Sequence, residues 1–534
     1  MNEKLQRYGD IKETLSLHQK VGQLFMPAVF INDSDEEIQK MEHLIQKFHI
    51  GSLCFFHSRA SAATNFEGKK KIEYNAKSLD RLKQLIARYQ KASKIPLLIA
   101  IDAEWGLAMR VEETPQYPYA ITLGALEHKN ELIHDVARNI GMDCKDAGIH
   151  WNLAPVVDIN SNPDNPVIGY RSLGDDKAKV ISKAEAFIAG MRTTGILNSL
   201  KHFPGHGDTA IDSHLGLPVI NKSLETLKEN ELAPFQQLID RGVDSIMVGH
   251  MSLPQLDGKN PTTVSTTIIQ GLLREEMGFK GLIISDALNM RAVSKLYPER
   301  GQLEAAAFAA GMDVFCFSEF PADGIQKIVA SASKERIEES FKRVWGLKEN
   351  VFLKAPSAST LKRKDHSRLN KKIAKGAITE LFGSPKAVKE ISSKHFMNLS
   401  LENGKNNFFS TKIHKAFGQK KWDMNGNLDA IKAAWNGYDL AVLALFPFAV
   451  KPKDRFGFKI EELTLIRRLV QEKNTLIYLF GNPYALDILG LPPTSNVVLA
   501  YQDFPEFQEV AFDHFQGIQK AKGKLPVTLK TRES

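Results

Sequence analysis

The stretch Ile196-Leu-Asn-Ser-Leu-Lys-His-Phe-Pro-Gly-His-Gly-Asp-Thr-Ala-Ile-Asp-Ser-His214 is the most informative in the chain. It begins as a short apolar run and turns polar at Lys201 and His202. Pro204, Gly205 and Gly207 forbid a regular helix through the residues beyond. This is therefore a buried strand whose C-terminal end opens into a loop able to fold several polar groups over one pocket. On either side of it the same pattern recurs. Apolar runs at 22–30, 51–56, 96–102, 149–159, 196–202, 245–251, 281–288 and 313–318 alternate with longer amphipathic stretches. Continuous apolar runs of this length suit parallel strands buried on both faces. Between them, 79–93, 131–147 and 223–241 carry apolar residues every three or four positions, with Ser223 as N-cap and Gly242 as the stop of the last. Eight such units predict an α/β fold with an N-terminal TIM-type (β/α)8 barrel; a doubly wound open sheet is the competitor. Asp102, Asp158, Lys201, His202, His250 and Asp286 fall at the C-terminal ends of the runs, the face where barrel enzymes place their chemistry.

The length of 534 residues, 43% of them hydrophobic, allows one large and one smaller domain. We assign residues 1–354 to the barrel and 355–372 to a basic linker containing Pro356, Lys362, Arg363, Lys364, Lys371 and Lys372. Residues 373–534 form a smaller α/β sandwich domain, with strands at 438–446, 474–480 and 496–501 and a helix at 461–473. A net charge of +8 with interspersed signs argues against a nucleic-acid partner. No window of about 18 apolar residues offers a membrane span. The first residues lack a signal-peptide core, which points to the cytoplasm, or to the periplasm or outside if a signal peptide has been trimmed. Cys54, Cys144 and Cys316 are far apart and show no CxxC spacing, which excludes a disulfide framework and a thiolate zinc site.

Three chemical readings compete for the quoted loop. His202 and His206 are four apart, a metal-binding spacing only on a helix, which this loop is not. A purely structural cluster is the second reading, and three histidines in a Gly-rich loop are an odd way to build a core. The third is acid–base chemistry: Asp212 near His214 fixes the imidazole tautomer and raises its basicity, so that His214 donates a proton to a leaving oxygen and later takes one from water. Asp286 ends a buried strand, either as a helix cap or as a working carboxylate. Placed about 5–5.5 Å from a proton donor, such a carboxylate can attack an anomeric carbon and form a covalent glycosyl-enzyme.

At these residues the sequence resembles glycoside hydrolase family 3, in its β-N-acetylhexosaminidase (β-N-acetylglucosaminidase) branch. Lys201–His214 and Ser285-Asp-Ala-Leu288 carry the resemblance, with Asp102-Ala-Glu-Trp-Gly106 and Arg110, Asn152–Asp158, Asn165–Ser172, and Gly523-Lys-Leu-Pro-Val-Thr528 near the end. The resemblance implies Asp286 as nucleophile and His214, paired with Asp212, as acid/base. It implies Asp102, Arg110, Arg171, Lys201 and His202 as the residues that hold the terminal sugar's hydroxyls, although Arg110 and Arg171 would also suit ordinary surface ion pairs. His206 shapes the loop. No metal or organic cofactor is implied. The implied reaction is retaining hydrolysis of terminal β-linked N-acetylhexosamine from a small carbohydrate, a peptidoglycan or chitin fragment. A phosphorylase on the same scaffold, a β-glucosidase of the same family and a non-catalytic wall-binding module are the alternatives. The sequence departs from the branch's usual acid-Glu-Gly-Gly pattern at Asp102–Gly106, where Trp105 adds an aromatic residue.

Overall fold

A computed structural model describes residues 5–58, 73–209, 216–353, 362–381, 384, 386–426, 428–492 and 494–530. The chain divides into two compact units. The first comprises Met1–Tyr117, His134–Ile159 and Val180–Arg363; the second comprises Pro118–Ile133, Asn160–Lys179 and Lys364–Ser534.

The first unit is built on parallel strands β1 (Phe25–Met26), β2 (Ala28–Phe30), β3 (Ser52–Phe56), β4 (Leu98–Ile101), β5 (Trp151–Asn152), β6 (Leu197–Phe203), β7 (Ser245–Val248), β8 (Leu282–Ser285) and β9 (Phe315–Cys316). Strands β2 to β8 hydrogen-bond in sequence order, and β1 pairs with β9. The ring closes through the Ile284–Val314 bridge between β8 and the start of β9, and through the N–H of Phe315, which bonds to the carbonyl of Leu24. The 22–30 run is thus one barrel strand interrupted at Pro27, whose ring nitrogen carries no donor. The 149–159 run is strand only at Trp151–Asn152, with an isolated Val156–Lys201 bridge beyond; Pro155 removes a ladder donor in between. Every residue of β6 is buried, as expected of a sheet covered on both faces.

Two of the expected helices are present, as Ser78–Ala92 and Asn130–Ala147. The third is split into Leu224–Glu229 and Ala233–Asp240. Asn230 leaves the helical region at φ −127° and ψ −79°, and Pro234 cannot bond back to the carbonyl four residues earlier. Ser223 caps the first piece by accepting from the Thr226 N–H, and Gly242 comes after the second at φ +74°, a conformation that costs glycine little.

The second unit carries a six-stranded sheet of β10 (Thr379–Leu381), β11 (Met397–Leu401), β12 (Lys421–Asp423), β13 (Leu440–Leu445), β14 (Asn474–Leu479) and β15 (Asn496–Leu499), ordered β10-β15-β14-β13-β11-β12. All pairs are parallel except β10 with β15. Helix Ile460–Glu472 connects β13 to β14. The stretches 118–133 and 160–179 are tied to this unit by specific bonds. Gln502 Nε2 donates to Thr122 Oγ1 at 2.7 Å, Asn160 Nδ2 to the Tyr484 hydroxyl at 2.6 Å, and the Thr528 hydroxyl to Asp175 Oδ2 at 2.7 Å.

Candidate active site

Position along the strands brings most of the candidate residues of the first unit together. Asp102 directly follows β4, and Lys201 lies within β6, two strands away round the ring. Lys201 Nζ meets Asp102 Oδ1 at 2.8 Å and Glu104 Oε1 at 2.9 Å. Arg110, just beyond the 3-10 turn Leu107–Met109, reaches the other oxygen of Asp102 with Nη2 at 2.9 Å. Its guanidinium lies over the Phe56 ring, 5.0 Å from the centroid, and its buried Nε has no acceptor among the described residues. Burial alone would raise the Asp102 carboxyl, but the charges of Lys201 and Arg110 outweigh it and hold the group well below the usual carboxylate range. The result is a fixed, ionised acceptor flanked by two cations, a set matched to the hydroxyls of a polyol.

A second buried group lies beside it. Asp158, 1% exposed, takes the His202 Nδ1 at 2.8 Å, the His202 backbone N–H at 3.1 Å and the His206 backbone N–H at 2.7 Å. Burial raises the Asp158 carboxyl, while the His202 charge, the hydrogen bond from that ring and the approach of His206 lower it further than burial raises it. A carboxylate only accepts, so it keeps a proton on His202 Nδ1. The His206 ring, 5.9 Å from that of His202, is lowered to about 4 by burial and then by His202, and is neutral near pH 7. Its Nδ1 lies 2.7 Å from the Thr209 hydroxyl.

Asp286 immediately follows β8 and is half-buried. Its backbone N–H bonds to the Val248 carbonyl at 3.0 Å, and its Oδ1 accepts from the Ala287 N–H at 2.7 Å. It caps no helix, because the next one spans Arg291–Ser294 with Met290 before it. His250, at the end of β7, steadies this turn: Nε2 donates to the Ala287 carbonyl at 3.0 Å, and Nδ1 lies 2.6 Å from the Thr263 hydroxyl. Asp286 follows β8 as Asp102 follows β4, so both carboxylates lie at the C-terminal ends of parallel strands of the same barrel.

Arg171 belongs to the 3-10 turn Gly169–Arg171 of the second unit, where Nη1 donates to the Val167 carbonyl at 3.5 Å. Asp212 and His214 lie outside the described residues. The sequence does not single out Glu104 or the pairing role of Asp158. The signal for both is present as acids at strand ends, but their partners come from other strands. Among the described residues no group of three or more His, Cys, Asp or Glu is placed to hold a metal ion.

Residues 16–347 match the model of the glycosyl hydrolase family 3 N terminal domain. The chain is 31% identical over 377 residues to beta-hexosaminidase A of Pseudoalteromonas piscicida, across 64% of this chain and 61% of that protein. It is 27% identical over 385 residues to a beta-N-acetylglucosaminidase/beta-glucosidase of Cellulomonas fimi, across 68% of this chain and 64% of that one. The aligned part is thus less than two thirds of the length of either relative. Among solved structures, a family 3 beta-N-acetylglucosaminidase from Paenibacillus sp. str. FPU-7 superposes with a TM-score of 0.75 at 26% identity, covering 96% of this chain and 99% of that one.

Proposed function

The chain belongs to glycoside hydrolase family 3, and from that premise we propose that it is a retaining β-N-acetylglucosaminidase acting on terminal β-linked N-acetylhexosamine in peptidoglycan or chitin fragments. The observation that carries this reading is the Asp102 carboxylate, kept ionised between Lys201 and Arg110 at the strand-end face on which Asp286 follows β8. Such a clamp recognises the hydroxyls of a sugar ring, and the orphan Arg110 Nε adds a donor for one more oxygen. Asp286, half-buried and uninvolved in capping, attacks the anomeric carbon. His214, oriented by Asp212, protonates the leaving oxygen and then draws a proton from the water that releases the sugar. His202 presents Nε2 to the bound ring, with its tautomer fixed by Asp158. The preference for an N-acetyl sugar draws on the Lys201–His214 stretch and on the names carried by the similar proteins.

Proton NMR of the first released sugar tests this proposal. Retention requires the β-anomer to appear before mutarotation. An α-anomer appearing first, or sugar-1-phosphate as the main product at moderate phosphate, would refute it.

A further inference from the structure

The chain that leaves β6 carries Asp212 and His214 before it reaches the helix Leu224–Glu229. The described residues on the two sides of that stretch are tied to each other. On the leaving side, Asp158 holds the His206 N–H at 2.7 Å, and the Thr209 hydroxyl lies 2.7 Å from His206 Nδ1. On the returning side, the Ser252 N–H donates to the Pro218 carbonyl at 2.8 Å, and the Ile220 N–H donates to the Ser252 carbonyl at 2.9 Å. Residues 218–220 are thus fixed beside the chain that follows β7. Lys222 joins the two sides: its Nζ meets both Asp208 Oδ2 and Glu231 Oε1 at 2.6 Å. The Glu231 side chain is 1% exposed and stands just past the helix break at Asn230. It also packs under the leaving side, since a Cβ at Gly205, where φ is +130°, would come within 2.8 Å of the Glu231 Cβ. Burial alone would lower the Lys222 ammonium, but its bonds to Asp208 and Glu231 outweigh burial and raise it above its usual value.

We propose, on the hydrolase reading above, that Asp208, Lys222 and Glu231 are positioning residues for the acid/base, an ionic clamp across the base of the segment that carries His214. Asp208 stands six residues before His214 and Lys222 eight after it, so their contact fixes the ends of the thirteen residues between them. Fixed ends remove part of the conformational freedom that would otherwise be lost on holding an imidazole in one place. Proton transfer needs heavy atoms about 2.6–3.2 Å apart, and a misplacement of about 1 Å can cost about a hundredfold in rate. A fully exposed ion pair would be too weak for this task. This one is more sheltered, with the Lys222 and Asp208 side chains 26% and 32% exposed. The buried Glu231 carboxylate also fixes the ammonium independently of Asp208. A role in stability alone would lower every rate alike, whereas a role in placing the proton donor is felt where the leaving group needs a proton.

Two substrates separate these outcomes. One is the β-1,4-linked disaccharide of N-acetylglucosamine, whose leaving oxygen must be protonated. The other is 2,4-dinitrophenyl N-acetyl-β-glucosaminide, whose phenolate departs without a proton. Asp208→Asn keeps the side-chain volume and leaves Lys222 its bond to Glu231. It is expected to lower kcat/KM on the disaccharide about tenfold, part of the roughly 100- to 10,000-fold that a placed general acid supplies. On the dinitrophenyl glycoside kcat/KM should be unchanged. Asp208→Glu restores the charge and should recover most of the lost rate. Equal losses on both substrates, or no loss on the disaccharide, would overturn the proposal, as would an Asp208→Glu variant no faster than Asp208→Asn. His214→Ala tests the underlying reading separately: a full rate on the disaccharide would contradict the acid/base assignment itself, whatever the Asp208 variants do.

Discussion

At the scale of the residue, Lys201 shows how the site is assembled. Its side chain is 2% exposed, and its ammonium would be costly to bury alone. Asp102 and Glu104 offset that cost, and Lys201 in turn helps to hold Asp102 ionised. Lys201 and Asp102 are legible in the sequence because they sit at strand ends, where side chains converge, whereas Arg110 lies beyond the turn after β4 and is legible only through the family resemblance. Glu104 is harder to see, because its neighbour Trp105 is the conspicuous departure from the family pattern and because a partner on another strand leaves no local trace. Asp158 and His202 form a second buried pair with a pH signature. Asp158 titrates lower folded than unfolded, so its contribution is present above about pH 4 and is lost as the pH falls through the folded value. Asp158→Asn should therefore destabilise the protein by about 3–5 kcal/mol at neutral pH, with the gap to wild type narrowing in acid. Because Asn can offer an N–H to Nδ1 and reverse the His202 tautomer, kcat/KM should fall by about a hundredfold or more. Thermal unfolding across pH and steady-state kinetics check both, and a gap that does not narrow in acid would refute the assigned pairing.

At the scale of the element, the barrel is legible because its apolar runs are continuous and end in polar residues. The features that periodicity misses have local causes. Strand β5 shrinks where Pro155 has no donor to give, and the 223–241 helix breaks where Asn230 and Pro234 meet. In the second unit, β11 alternates Asn398 and Ser400 with apolar residues and so mimics a half-exposed strand, yet all five of its positions are buried. Asn398 Nδ2 donates to the Ser410 carbonyl at 2.9 Å, and the Ser400 hydroxyl donates to Glu402 Oε1 at 2.9 Å. Helix Lys334–Phe352 carries an unusual feature, the fully buried Lys348. Its Nζ donates to Gln23 Oε1 and to the Pro96 carbonyl, both at 2.7 Å and both uncharged. Burial lowers it to about 7. The unfolded chain then binds a proton that the folded chain lacks between about pH 10 and pH 7, and stability falls as the pH drops through that window. Lys348→Met should gain on wild type by up to several kcal/mol between pH 10 and pH 7, read as the pH dependence of the difference in Tm. A difference constant across pH would show that the amine is charged in the fold.

At the scale of the whole molecule, the two units are interleaved along the chain. Residues 118–133 and 160–179 are covalently part of the barrel's sequence, but they cluster with the second unit. Periodicity cannot reveal this, because it reports which face of an element is apolar and not what covers it. A chain ended after Arg363 would leave Thr122, Asn160 and Asp175 without Gln502, Tyr484 and Thr528. Thr122 and Asn160 are buried, and each buried polar group left unmet costs about 1–3 kcal/mol; the apolar partners of both stretches would go as well. The truncated chain should lose cooperative thermal unfolding and solubility. A well-folded, active product would show that the first unit stands alone. The proposed catalysis converges on one carboxylate, Asp286, just after β8. The most direct measurement is trapping with a fluorinated N-acetylglucosaminide followed by peptide mapping. The expected result is a single covalent label on Asp286, absent in Asp286→Ala; a label on any other residue, or turnover by Asp286→Ala matching wild type, would contradict the account.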